Sequence, residues 1–517
     1  MLNLSVFLDD SAREVPDRPA VIRGENSFTY AQVNALASQF AHGLVAAGVT
    51  PGERVALSCP NIEWFPIVYY GILKAGAVVV PLNILLKGRE IAYHLEDSGA
   101  SVYVCFAGLP DLPLAALGHE GFSQVESCHT MVILPADLAA PSPIEGVPTF
   151  FEFVADQPPT FDTVDRAADD TAVILYTSGT TGQAKGAELS HSNMVLNARL
   201  CEQLYEPPDD FDVHLITLPL FHSYGQTCQM NAGFYRGSTL VLLPRFTPEE
   251  ALRLMQAHGV TVFAGVPTMY WAMLNADVSG VDIAALADRL RVAMAGGASL
   301  PLEVLKGFGE RFGVKILEGY GLSETSPVAT FNRQSKPAKP GSVGPAVWGV
   351  SVRVVDDGDR DLPVGEQGEI LIKGHNIMKG YLGRPDATAE ALRGGWFHTG
   401  DVGKLDEDGY LYITDRVKDM IVRGGFNVYP REVEEVLMTH PAVSLVAVVG
   451  VPDPRLGEEV KAFVVLSEGE TVSAGDLVSW SKSQMADYKY PRQIEFLDAL
   501  PMNATGKILK RELRPSA

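Results

Sequence analysis

A chain of 517 residues, 46% apolar and 20% charged, exceeds what one hydrophobic core serves and calls for at least two domains. Its formal net charge of −22 argues against a nucleic-acid surface and requires any anionic ligand to meet a local cluster of cations. Five scattered cysteines (Cys59, Cys105, Cys128, Cys201, Cys228) form no C-x-x-C pair, so neither a zinc ribbon nor a disulfide framework is indicated and a reduced cytoplasm fits.

The first ten residues lack a basic region and an uninterrupted apolar run, so no signal peptide is expected. Ser27–Tyr30 reads as strand and Ala31–Val49 as helix, followed by a strand at Val55–Ser58. The apolar stretch Trp64–Leu86 contains Lys74, Gly76 and Pro81, and reads as a buried helix, a glycine turn and a short strand rather than a membrane span. Peripheral membrane contact stays open. Helix at Gly88–Ser98 and strand at Ser101–Phe106 continue the alternation, which predicts an α/β architecture with parallel strands. Residues 107–168 are rich in Pro and Ala and are expected to be surface excursions.

Asp170–Leu175 is a β-prone apolar run that opens into Thr177-Ser178-Gly179-Thr180-Thr181-Gly182-Gln183-Ala184-Lys185-Gly186. Three glycines let backbone N–H groups crowd an anion, the hydroxyls add donors, and Lys185 adds a point charge. The spacing is not that of a Walker A loop, yet the chemistry is that of a phosphate cradle. Helix at His191–Leu200 follows, then strands and helices at Val213–Leu218, Ser238–Leu243, Thr247–His258, Thr261–Val266 and Arg291–Ala295.

Glu318-Gly319-Tyr320-Gly321-Leu322-Ser323-Glu324-Thr325 sets an aromatic suited to purine stacking near a carboxylate suited to Mg²⁺. From Pro340 to Lys373 the texture turns to short β segments with Gly and Pro turns, predicting a small barrel-like subdomain at about 340–415. His398-Thr399-Gly400-Asp401 offers an aspartate able to accept both hydroxyls of a ribose. Asp415-Arg416-Val417-Lys418-Asp419 suits an exposed joint, and the last hundred residues carry their own α+β pattern. Asn503-Ala504-Thr505-Gly506-Lys507 is, by itself, a lysine on a glycine turn before a basic tail.

These four separated motifs, in this order, resemble the signatures of the adenylate-forming superfamily, and most closely its acyl-CoA synthetases. The resemblance runs from about Ala20 to Leu513. It implies a large N-terminal domain of two β-sheets layered with helices plus a small β-barrel subdomain (1–417). A small mobile α+β domain (418–517) is to follow, hinged at Lys418. ATP, Mg²⁺ and coenzyme A are the implied cofactor and co-substrates. Thr177 to Gly182 and Lys185 would hold phosphates, and Thr177 with Glu324 would position the metal. Gly297, Ala298, Glu318, Gly319, Tyr320 and Ser323 would lie along the nucleotide, and Asp401 with Arg416 at its ribose. Lys507 would offset charge on the α-phosphorus, with Glu324, Lys185 and His222 completing the catalytic set.

Pro219–Gly225 resembles a segment with a histidine gate, and His222, Gly225, Val266, Gly296 and Gly321 would line the acyl pocket. Gly424 and Gly425 resemble the loop that faces the thiol acceptor after the hinge turns. Ser323 stands where threonine is commoner, and Val422 where some members carry lysine.

The expected activity is ATP-dependent ligation of a carboxylic acid to CoA through acyl-AMP, by a monomer or homodimer. Medium- or long-chain fatty acids lead and aryl acids such as cinnamates come second. Rival readings are an acyl-AMP ligase serving a carrier protein and a non-catalytic nucleotide-binding protein. A hydrolase is disfavoured, because neither Ser223 nor Ser323 sits in a full Gly-x-Ser-x-Gly elbow. An amino-acid-activating domain would need an acidic residue near Leu218–Gly225, and none is there.

Overall fold

The computed structural model describes residues 2–514 apart from 110–111, 138–139, 178–182, 207–209, 338, 417–418 and 425, and the backbone alone of 415, 416 and 427. Two large sheets carry the first four hundred residues. One has seven strands, in the order Gly380–Tyr381, Lys185–Ser190, Thr171–Thr177, Val78–Pro81, Arg54–Ser58, Ala100–Phe106 and Thr130–Leu134. Its last five strands run parallel, while Lys185–Ser190 folds back antiparallel on Thr171–Thr177.

The second sheet has eight strands, with Ile316–Gly321, Val292–Ala295, Val262–Gly265, Val213–Ile216 and Thr239–Leu242 parallel at its centre. Predominantly apolar strands, such as Val78–Pro81 and Ala100–Phe106, are buried along their whole length, as helices on both faces require. A four-stranded antiparallel sheet, from Val350–Val355 to Leu411–Arg416, forms the small β subdomain. A separate sheet built on Val443–Asp453 and Gly457–Leu466 carries the C-terminal domain.

Sequence pattern and structure differ most between 107 and 168. That stretch is more than surface excursion: it holds the helix Leu114–Phe122 and the buried strand Thr130–Leu134, which completes one edge of the first sheet. Flanking Pro and Ala mask a four-residue apolar run, Met131-Val132-Ile133-Leu134, too short to declare its period. The Trp64–Leu86 stretch resolves into a helix at Trp64–Lys74, a left-handed Gly76 and a strand at Val78–Pro81. No helix among the described residues is long and apolar enough to cross a membrane.

Buried polar side chains join the two large sheets. Asn61 donates to the Leu218 carbonyl at 2.9 Å and accepts from the Leu220 N–H at 2.9 Å, fixing the segment that leads to His222. Asn197 makes the same two-way clasp on Val328, at 3.0 and 3.1 Å. Such fully satisfied amides fix position where apolar contact alone would allow slippage.

The helix Tyr30–Ala46 opens on a reciprocal cap between Thr29 and Gln32 and lies against Trp64–Lys74. Gly71 makes that approach possible, since a Cβ there would fall 2.8 Å from the Ala37 carbonyl and 3.0 Å from the Phe40 ring. Gly71→Ala is therefore expected to cost about 1–3 kcal/mol through overpacking, read as a lower denaturation midpoint. An unchanged midpoint would mean that the helices separate freely.

Candidate functional site

The carboxyl ends of Thr171–Thr177 in the first sheet and Ile316–Gly321 in the second carry two of the motifs, the usual ligand position in open α/β sheets. Thr177 closes its strand directly opposite Lys185, so the phosphate-loop motif is the connection of an antiparallel pair. Ser178, Gly179, Thr180, Thr181 and Gly182 lie outside the described residues.

Glu324 sits in the short turn Ser323–Thr325, beyond the strand Ile316–Gly321, and is 7% exposed. Thr177 donates its hydroxyl to Glu324 Oε1 at 3.2 Å. Tyr381, from the edge strand Gly380–Tyr381, donates to the same oxygen at 3.0 Å. The Lys185 ammonium stands 5.2 Å from the centroid of the Tyr381 ring. Three segments thus meet at one carboxylate, with Lys185 beside the ring of the third.

Sequence reading paired Thr177 with Glu324 but overlooked Tyr381. Its signal is topological: Gly380 and Tyr381 pair with Glu188 and Ala187, which no local pattern announces. The donor set suits Mg²⁺, because a buried carboxylate oxygen and a threonine hydroxyl are hard ligands. Neutral hydroxyls hold the carboxylate, and no lysine or arginine ion-pairs with it among the described residues.

Asp401, the residue expected at the ribose, is 3% exposed in the strand Phe397–Leu405 and accepts the Tyr320 hydroxyl at 2.6 Å. Its neighbour His398 stays within its own sheet, Nδ1 lying 3.0 Å from Glu369 Oε2. The Arg416 backbone pairs with Asp401, while its side chain lies outside the described structure. Gly321 needs its missing side chain: a Cβ would fall 1.8 Å from the Pro327 carbonyl oxygen. Gly319 likewise packs under the Phe331 ring at 2.6 Å from a built Cβ. Ser323 Oγ lies 3.5 Å from Ser223 Oγ, which ties the nucleotide strand to the acyl segment.

His222, expected to line the acyl pocket, precedes a π-helix, Tyr224–Asn231, which sequence pattern did not predict. The Tyr224 N–H donates to His222 Nδ1 at 3.3 Å, leaving the ring proton on Nε2. Burial pushes the imidazole down to about 4, and the nearby positive charge of Lys507 pushes the same way. His222 is therefore neutral at pH 7.

Gly225 packs on backbone, a Cβ there falling 2.7 Å from the Pro219 carbonyl oxygen. Gly296 faces the Tyr224 ring, 3.1 Å from a built Cβ, and the left-handed Gly297 stands over Val266. Gly297 and Ala298 are exposed, whereas Val266 and Gly296 are buried.

The C-terminal domain reaches this site through the turn Asn503–Lys507. Thr268, just beyond Val266, donates its hydroxyl to the Gly506 carbonyl at 2.8 Å. Trp271 Nε1 donates to Ser444 Oγ at 3.1 Å. Lys418 and Gly425 lie outside the described residues. Gly424, left-handed at φ +58°, bonds to Leu456 within its own domain.

Glu318 is 4% exposed, and burial raises its carboxyl to about 7 against the opposing charge of Arg431 and a bond from the Leu300 N–H. A carboxyl that titrates higher folded than unfolded binds its proton more tightly when folded. Its stabilising contribution is full below the ordinary value of 4.5 and is lost as pH rises through about 7. Glu318→Gln should therefore raise the unfolding temperature relative to wild type by several degrees at about pH 8 and by little at about pH 5. A difference independent of pH would contradict this origin.

Two family models match the chain: "AMP-binding enzyme" over residues 8–382 and "AMP-binding enzyme C-terminal domain" over residues 432–507. A long-chain-fatty-acid–CoA ligase of Bacillus subtilis is 36% identical over 530 residues, covering 99% of this chain and 94% of that protein. A feruloyl-CoA synthase of an Amycolatopsis species is 38% identical over 514 residues, covering 97% and 96%. The structure of ATP-bound MatB from Rhodopseudomonas palustris superposes with a TM-score of 0.89 at 33% identity, covering 99% and 98%. The chain belongs to the AMP-binding enzymes, in the acyl-CoA synthetase branch of the adenylate-forming superfamily.

Proposed function

We propose that this enzyme activates an apolar carboxylic acid with ATP and transfers the acyl group to coenzyme A. A carboxylate oxygen attacks the α-phosphorus and the bond to pyrophosphate breaks, giving acyl-AMP. The thiol sulfur then attacks the acyl carbon, loses its proton, and AMP leaves. Lys507 faces the first step, its charge offsetting that which builds on the α-phosphate. Thr177 and Glu324 would hold Mg²⁺, which supplies charge neutralisation at the phosphates. Lys185 and the loop from Thr177 to Gly182 cradle the phosphates, with Gly297, Ala298, Gly319 and Ser323 alongside.

Tyr320 offers its ring to the purine, and Asp401 with Arg416 takes the ribose. Neutral His222 donates from Nε2 toward the acid and serves as the gate of its pocket. The C-terminal domain then turns about Lys418 and brings Gly424 and Gly425 to the thiol. Most of the rate comes from positioning and electrostatics, since CoA carries its own nucleophile.

The observation that carries this reading is the hydrogen bond from Thr268 to the Gly506 carbonyl, which brings the Lys507 turn of a separate domain beside Val266, while Ser323, next to Glu324, lies against Ser223. Medium- or long-chain fatty acids are the leading substrates, in keeping with the Bacillus relative. Aryl acids are the second reading, favoured by the Tyr224 ring that faces Gly296 in the wall. The five buried free thiols fit work in the reducing cytoplasm, on small molecules, as a monomer or homodimer.

Pyrophosphate release with MgATP across fatty, aryl and short acids, with and without CoA, tests the reading. One acid class should drive release, CoA should convert it to thioester and AMP, and Lys507→Ala should slow release by at least about a hundredfold. Acyl-AMP formed without a CoA product would point to a carrier-protein acceptor. Silence across the panel despite ATP binding would leave a nucleotide-binding protein without catalysis.

A further inference from the structure

The turn that bears Lys507 is a small block bonded within itself. Asn503 Oδ1 accepts the N–H groups of Thr505 and Lys507 at 3.0 and 2.8 Å. The Asn503 carbonyl accepts the Gly506 N–H, and the Asn503 N–H donates to the Lys507 carbonyl, both at 2.9 Å. Met502 and Ile508 close the turn as a bridge. The block holds its own shape, and what remains to be set is where it stands.

Thr268 sets it. Its hydroxyl donates to the carbonyl of Gly506, the residue directly before the lysine, across 238 positions of sequence. Gly506 is left-handed at φ +76°, and a Cβ there would fall 2.8 Å from Val266 Cγ2 and 3.0 Å from Thr268 Oγ1. The turn therefore seats against the acyl wall only because this residue is glycine. Trp271, one turn further along the helix Pro267–Leu274, bonds to Ser444 and so presents the same face to the C-terminal domain.

We propose that Thr268 is a positioning residue for the adenylation step: it fixes the Lys507 turn over the site and takes no part in thioester formation. The proposal rests on the two-step reading above, in which the C-terminal domain moves away before the thiol attacks. A helix that begins at the acyl wall thus also docks the catalytic lysine. One hydrogen bond of ordinary strength, aligned on the residue beside the reactive group, is enough to shift the fraction of enzyme with lysine in place.

The test uses full-length wild type, Thr268→Val, Thr268→Ser and Gly506→Ala. Pyrophosphate release is measured with MgATP and dodecanoate or ferulate, and thioester formation separately from preformed dodecanoyl-AMP or feruloyl-AMP with CoA. Hydrogen exchange of the segment 501–509 is followed in parallel. Thr268→Val and Gly506→Ala should slow pyrophosphate release about five- to tenfold through kcat, with the KM for ATP unchanged. Thr268→Ser should restore release to within about twofold, and thioester formation should stay within about twofold in every variant.

Exchange in 501–509 should quicken in Thr268→Val and not in Thr268→Ser, with 443–466 unaltered. Equal loss in both half-reactions, or unchanged release and exchange in Thr268→Val, would overturn the proposal. A wild type inert toward both acids would count against the two-step reading, while the exchange data would still decide whether Thr268 docks the turn.

Discussion

The site depends on a single buried carboxylate. Glu324 lies where the second sheet turns toward the first, and hydroxyls from two strands of the first sheet, Thr177 and Tyr381, close on one of its oxygens. A charged oxygen removed from water is tolerated only when donors or a cation compensate it. Neutral hydroxyls compensate in part and leave the net charge in place. That residual charge is what a divalent cation and its phosphates require.

The arrangement answers the problem set by the overall charge of −22. An acidic protein that binds polyphosphate must supply cations locally, and in the proposed reading they come from separate places. Lys185 follows the phosphate loop and is held near the Tyr381 ring. Lys507 arrives with a different domain, close enough to help keep His222 neutral. In the proposed two-step reading, a cation on a separate domain can be withdrawn once acyl-AMP has formed. The helix Pro267–Leu274 receives that domain through Thr268 and Trp271.

Much of this was legible in the residues alone. Alternating apolar runs and helical periods announced parallel α/β layers, and Thr177–Lys185, Glu318–Glu324 and Asp401 were legible as short motifs of the family to which the chain belongs. The two-way pairing of distant residues was not. Tyr381 enters the site because an edge strand pairs with Lys185–Ser190, and Thr268 because a tail 238 residues away lies on it. Neither depends on any local pattern. The Tyr224–Asn231 π-helix escaped for a related reason, since its polar residues are buried by tertiary contacts that override their propensity. Thr130–Leu134 was lost among prolines and alanines that suggested a loop.

The account stands on Glu324 as the residue that brings a divalent cation to the phosphates. Calorimetric titration of ATP into wild type and Glu324→Gln, with and without Mg²⁺, tests this directly. Glutamine still accepts from Thr177 and Tyr381, so the fold and metal-free ATP affinity should persist. Mg²⁺ should tighten ATP binding to wild type at least about tenfold more than to the variant. An equal gain from Mg²⁺ in both proteins would contradict the account.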